Sequence, residues 1–182
     1  MRWTRMAAIV FAAGLVAGAA QAQVVWVGAG FGSSWEYQPD TEPGTTWLRG
    51  DGDALSLFVG IPVEDSMVLR VAASDVPYDA PFEGEAWPGR FRAYTLGVDY
   101  FFTGIFGRSV LSAGAGQYNF LAQAQQPPRD LETKDFGWYF GVGEWFQLTR
   151  RSVVSVEVAM HRPDTDAKPV LVTGMVGVVV SF

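Results

Sequence analysis

One histidine, His161, and no cysteine set narrow limits on the chemistry open to this 182-residue chain. Without thiolates there is neither a disulfide scaffold nor a cysteine metal site, and a single imidazole does not make a zinc centre. His161 would work as a general base only with a nucleophile and an orienting group in hydrogen-bond reach. Ser155 shares its face of the segment but stands roughly 20 Å away along an extended strand at about 3.4 Å per residue. No triad forms locally, so no catalytic residue is assigned and His161 reads as a rim histidine bonded to a loop. Three further ionisable residues, Arg70, Asp99 and Glu157, lie inside otherwise apolar stretches. A lone buried charge costs several kcal/mol, so Arg70 is expected to bridge to Asp99, Glu157 or both. The competing use of such a cluster is an ion or proton path.

The remaining acids gather in polar stretches: Asp40, Glu42, Asp51 and Asp53; Asp79, Glu83 and Glu85; Asp130, Glu132 and Asp135. Carboxylates suit hard cations, but no EF-hand spacing is present, so these read as solvated loops with no metal and no cofactor. A net charge of −6, with Lys134 and Lys168 the only lysines, speaks against nucleic acid.

The elements that position these groups begin after a leader. Arg2 and Arg5 precede an apolar stretch, Met6 to Ala20, and Ala20-Gln21-Ala22 has the A-x-A form of a cleavage site. The stretch is short of the ~20 residues of a spanning helix. Residues 1–22 are therefore expected to be a signal peptide, with 23–182 as one domain. In that domain the recurring pattern is period-2 alternation, the mark of a strand with two unlike faces. Eight runs show it: Val24–Tyr37, Asp53–Ile61, Met67–Tyr78, Arg90–Phe102, Ser109–Asn119, Asp135–Leu148, Ser152–Arg162 and Val170–Phe182. Their connections alternate long and short. Gln38–Gly52, Asp79–Gly89, Phe120–Lys134 and Pro163–Pro169 are long; Pro62–Ser66, Thr103–Arg108 and Thr149–Arg151 are short. Short turns at one end and longer loops at the other are the signature of an up-and-down barrel in an outer membrane.

The faces agree with that reading. Val25, Val27, Ala29 and Phe31 share one face; so do Leu55, Leu57, Val59 and Ile61, and Tyr94, Leu96, Val98, Tyr100 and Phe102. The opposite face mixes glycine, hydroxyls, a few aromatics (Trp26, Phe58, Phe101, Tyr118, Tyr139, Trp145) and the three charges. Bulk outside and small residues inside would leave an apolar surface far beyond what a water-soluble monomer carries; lipid accommodates it, and lipid requires the sheet to close. Outward aromatics fall at strand ends in two girdles: Trp35, Tyr37, Tyr94, Phe136 and Trp138 at one rim, Tyr100, Phe102, Phe146 and Phe182 at the other. Run six leaves a choice: its parity sends Glu144 outward, unless a bulge near Gly143 swaps the faces.

The segments Tyr94-Thr-Leu-Gly-Val-Asp-Tyr100, Gly141-Val-Gly-Glu-Trp145 and Val156-Glu-Val-Ala-Met160, with the terminal Phe182, resemble the outer-membrane protein β-barrel domain family, the small eight-stranded barrels of the OmpA/OmpX type. The resemblance spans about Gln23 to Phe182. It implies an all-β, eight-stranded antiparallel up-and-down transmembrane barrel in the cell outer membrane of a Gram-negative-type bacterium. It also implies that Phe182, Val180, Val178 and Val176 form the segment read by the outer-membrane insertion machinery. His161-Arg-Pro lacks the serine two residues on that the lipid A deacylase pattern would carry.

The expected role is structural or surface-interacting, non-enzymatic and monomeric. The loops meet an extracellular ligand of unknown identity, and Arg90 and Arg92 contact lipopolysaccharide phosphates at the outer rim. Three alternatives stay open at this point: a lipid-modifying enzyme using His161, a narrow pore, and a soluble lipocalin-like carrier. An eight-stranded barrel has room inside only for its own side chains, which favours a plugged lumen. A lipocalin would instead place the apolar side chains inside.

Overall fold

The alternating runs become eight strands, because alternation places each side of the pleat in its own environment. They are β1 (Trp26–Tyr37), β2 (Leu48–Glu64), β3 (Met67–Phe82), β4 (Glu85–Thr103), β5 (Arg108–Gln125), β6 (Pro128–Gln147), β7 (Ser152–Pro163) and β8 (Val170–Ser181). The computed structural model describes residues 24–37, 48–82, 85–104, 107–125, 128–165 and 169–182, with backbone alone for 48–49, 51, 79–82, 85–87, 122–125 and 128–131. The leader reading of 1–22, the loop acids Asp40, Glu42 and Glu83, and Lys168 lie outside the described residues. The side chains of Asp51, Asp79, Glu85 and Asp130 do so too.

Each strand pairs antiparallel with its sequence neighbours, and β1 closes on β8 from Trp26↔Ser181 to Tyr37↔Val170. No sheet edge is left, which is the condition for strands to stand in hydrocarbon. The bulky apolar face points outward. Phe31, Leu96, Phe136 and Val176 are each more than half exposed, and Leu57, Val98, Val158 and Val178 share that surface. The lipocalin orientation is the reverse of this and does not describe the chain.

Two long connections are strand over their described residues. Asp79–Gly89 and Phe120–Lys134 carry the prolines and charges of loops, yet the β3–β4 ladder runs on from Tyr78↔Gly89 to Phe82↔Glu85. The β5–β6 ladder likewise runs from Asn119↔Lys134 to Gln125↔Pro128. Backbone pairing needs no apolar side chain, so a ladder can run on through residues whose types carry no alternation. β2 also starts at Leu48 instead of Asp53. Ser34 pairs with Gly52 while Trp35 pairs with Gly50, a bulge that swaps the faces of β2 and so hides its beginning. Gly52 has φ +123° there, a conformation that costs a residue without a side chain little.

Run six has no bulge. Ser109↔Glu144 and Glu144↔Val156 lie in unbroken register, so Glu144 faces outward. It sits by the short turn between β4 and β5, where the Ser109 hydroxyl donates to its carboxylate.

Candidate functional site: the polar belt of the lumen

Inward side chains fill the barrel in three layers. At the short-turn end Phe58, Val68, Phe101, Val110, Trp145 and Val179 form an apolar plug, with Trp26 packed against it. Trp145 meets Phe101 edge-on at 4.8 Å and Trp26 at 5.4 Å between ring centroids. At the loop end Val76, Tyr78, Phe91, Tyr118, Phe120 and Leu171 form a second plug. Between them lies a polar belt of Arg70, Asp99, Glu157, Thr95, Ser112, Ser155, Tyr139, His161 and Thr173. The small inward residues make room for the large ones. A Cβ at Gly114 would stand 2.5 Å from Tyr139 Cε1, and one at Gly97 would overlap the Tyr139 hydroxyl.

Arg70 is the hub of the belt. Its Nη1 donates to Glu157 Oε2 at 3.0 Å and its Nη2 to Glu157 Oε1 at 3.2 Å, the bidentate fork that guanidinium and carboxylate planes favour. On the other side Arg70 Nε lies 2.7 Å from Asp99 Oδ2, an ion-pair contact without an aligned hydrogen bond. The guanidinium also rests over the Phe58 ring, 4.0 Å from its centroid, a favourable placement for a cation. Trp145 Nε1 donates to Glu157 Oε1 at 3.0 Å, so the lower plug is bonded to the belt. Strands β3, β4 and β7 thus meet across the lumen through three charges.

His161 belongs to the same belt and not to the rim. It is buried, with Nδ1 3.1 Å from Tyr118 Oη and Nε2 3.2 Å from Thr173 Oγ1, and its ring stacks on Tyr139. The upper plug closes over it, which is why its partners are strand side chains and not a loop. Ser155 is inward on the same strand but bonded to neither ring nitrogen. Among the described residues no group of three or more histidines and acids is placed to hold a metal ion.

Outside the barrel, Arg90 and Arg92 face outward near the loop end. Arg90 Nε lies 2.6 Å from Asp75 Oδ1, and its Nη2 donates to the Asp53 carbonyl at 3.2 Å. Arg92 borders a wall groove with Phe31, Leu55 and Leu57. Val176, Val178 and Phe182 are exposed on the outer wall, and Val180 partly so. Three arginines that the alternation does not mark, Arg108, Arg150 and Arg151, collect at the short-turn mouth. Their only sequence signal is that each stands in or beside a short turn at one end of the barrel.

No family model matches the chain, and no curated protein does. Solved structures are similar to it over most of its length. Neisserial surface protein A aligns over 87% of this chain and 97% of its own, with TM-score 0.68 and 11% identity. The N-terminal β-barrel domain of Pseudomonas aeruginosa OprF covers 88% and 98%, with TM-score 0.61 and 14% identity. The P. aeruginosa outer membrane protein OprG covers 88% and 96%, with TM-score 0.60 and 14% identity. At these identities the likeness concerns architecture, and it agrees with the closed ladder and outward apolar wall: the chain has the fold of the small eight-stranded outer-membrane β-barrels.

Proposed function

We propose that the chain is an integral, monomeric, non-enzymatic protein of the outer membrane of a Gram-negative-type bacterium, acting in a structural or surface-interaction role through its loop end. The observation that carries this reading is the pairing of a sealed lumen with long hairpins. Two apolar plugs bracket the belt, which opposes a pore. The β3–β4 and β5–β6 ladders run far past the ~9–11 residues that a tilted strand needs to cross and so carry paired strand beyond the membrane. Both nitrogens of His161 are engaged by the hydroxyls of Tyr118 and Thr173, and all three residues are buried where an acyl chain does not reach them, which opposes an acyl-hydrolase reading.

In this reading residues 1–22 are removed on export. The insertion machinery reads Phe182, Val180, Val178 and Val176, and Arg90 and Arg92 contact lipopolysaccharide phosphates. The decisive experiment is detergent extraction followed by gel mobility with and without boiling, together with conductance in planar bilayers. A heat-dependent shift and no steady channel are expected. A protein released by osmotic shock, or one that conducts, would overturn the proposal. Two substitutions address its parts. H161A leaves the lipid A of the host unchanged if the chain is no lipid-modifying enzyme. The R90A/R92A variant loses binding to anionic glycolipid if the rim contact is real.

A further inference from the structure

The short-turn mouth holds a feature that neither the sealed lumen nor the hairpins use. A cavity of about 490 Å³ opens there, within the range of small-molecule sites. Its floor is the lower plug, presenting Trp26, Trp145 and Val179, and its rim carries Arg108, Arg150 and Arg151. Arg108 leans over the plug, with Cζ 4.7 Å from the Phe101 ring centroid, and its Nη2 donates to the Asp65 carbonyl at 3.0 Å. Among the described residues the ion pairs are those of Arg70, Arg90 and Lys134, so no carboxylate lies within 4.0 Å of any of the three mouth arginines. Glu64 and Asp65, on the neighbouring short turn, pair with none of them. An aromatic floor under a one-sided cationic rim is suited to a ligand with an apolar body and an anionic head, because guanidinium groups fork onto carboxylate and phosphate oxygens.

We propose that this mouth is a binding site for an anion carried on an apolar body, with the carboxylate, sulfonate or phosphate at Arg108, Arg150 and Arg151 and the apolar part against Trp26 and Trp145. That chemistry has two sources, a soluble organic anion or the headgroup of a lipid in the adjoining leaflet, and one experiment separates them. The full chain is placed in phosphatidylcholine nanodiscs and titrated with 2-naphthoate in a calorimeter. Saturable binding at one site per chain is expected, at least tenfold weaker for the uncharged 2-naphthamide and at least tenfold weaker for R108Q/R150Q/R151Q. Arg150 and Arg151 stand in an exposed turn and Arg108 touches the plug only through its guanidinium over Phe101, and the boiling-dependent gel shift checks that the variant has folded. The titration is repeated in phosphatidylglycerol nanodiscs. A fivefold or greater loss of naphthoate affinity there assigns the site to anionic lipid; unchanged affinity assigns it to a soluble anion. Absence of saturable binding in phosphatidylcholine, or equal affinity in the parent and the triple variant, would overturn the proposal.

Discussion

Arg70 and the mouth arginines carry the same group on the same side of the barrel wall, separated by the lower plug alone, and they live under opposite rules. Arg70 is almost fully enclosed and has a carboxylate on each side; Arg108, Arg150 and Arg151 are exposed and have none among the described residues. Above the plug a charge without a partner would be intolerable, because nothing else solvates it. Below the plug water does that work, and an unpaired guanidinium costs little. The contrast teaches where to look for function in a filled barrel. Charges that must be paired for the fold to exist are structural, whereas charges left free at an opening remain available to something else.

The sharpest way to break the comparison is R70M. It leaves Asp99 and Glu157 facing one another and should cost about 3–5 kcal/mol, read as a lower urea midpoint for unfolding from lipid vesicles. Replacing all three charges, as in R70M/D99L/E157M, should recover most of that loss, since an apolar core of similar volume is tolerated. If R70M is as stable as the parent, pairing is not what governs the belt. Next in size is G114A. Its new methyl meets Tyr139 Cε1 and the Leu96 carbonyl, both at 2.5 Å, and overpacking of this kind costs roughly 1–3 kcal/mol. Y118F removes the hydroxyl that bridges His161 Nδ1 and the Trp138 carbonyl; a loss of about 1 kcal/mol is expected in the same assay. Smallest of all, R150Q/R151Q should leave the urea midpoint unchanged within about 0.5 kcal/mol, as for surface positions generally. A large loss there would erase the distinction between the two sets of arginines.

Much of the barrel was legible because lipid and lumen impose opposite demands on neighbouring residues. Tyr94, Leu96 and Val98 against Thr95, Gly97 and Asp99 declare both the strand and its orientation. Legibility fails where that opposition ends. Pro81, Pro88 and Pro128 look like loop residues, yet each stands in a paired ladder, and a backbone ladder leaves no mark on side-chain type. The bulge at Gly52 conceals the start of β2 for a related reason: the alternation is still present, in opposite phase. The belt was readable as a set of inward charges, while the partners of His161 were not. Tyr118 lies 43 residues away, and its place opposite His161 depends on the register of two ladders, β5–β6 and β6–β7, and on the upper plug above it.

The seam between β1 and β8 has a consequence for how freely the chain could be rewired. Val25 and Phe182 exchange backbone hydrogen bonds of 3.3 and 2.9 Å, so the wall is a hoop whose stave order is cut at one point. Joining those ends and opening the hoop at Thr149–Arg151 would preserve every ladder contact while changing which stave is made first and which last. The finished hoop is indifferent to where the cut falls; only its assembly is not.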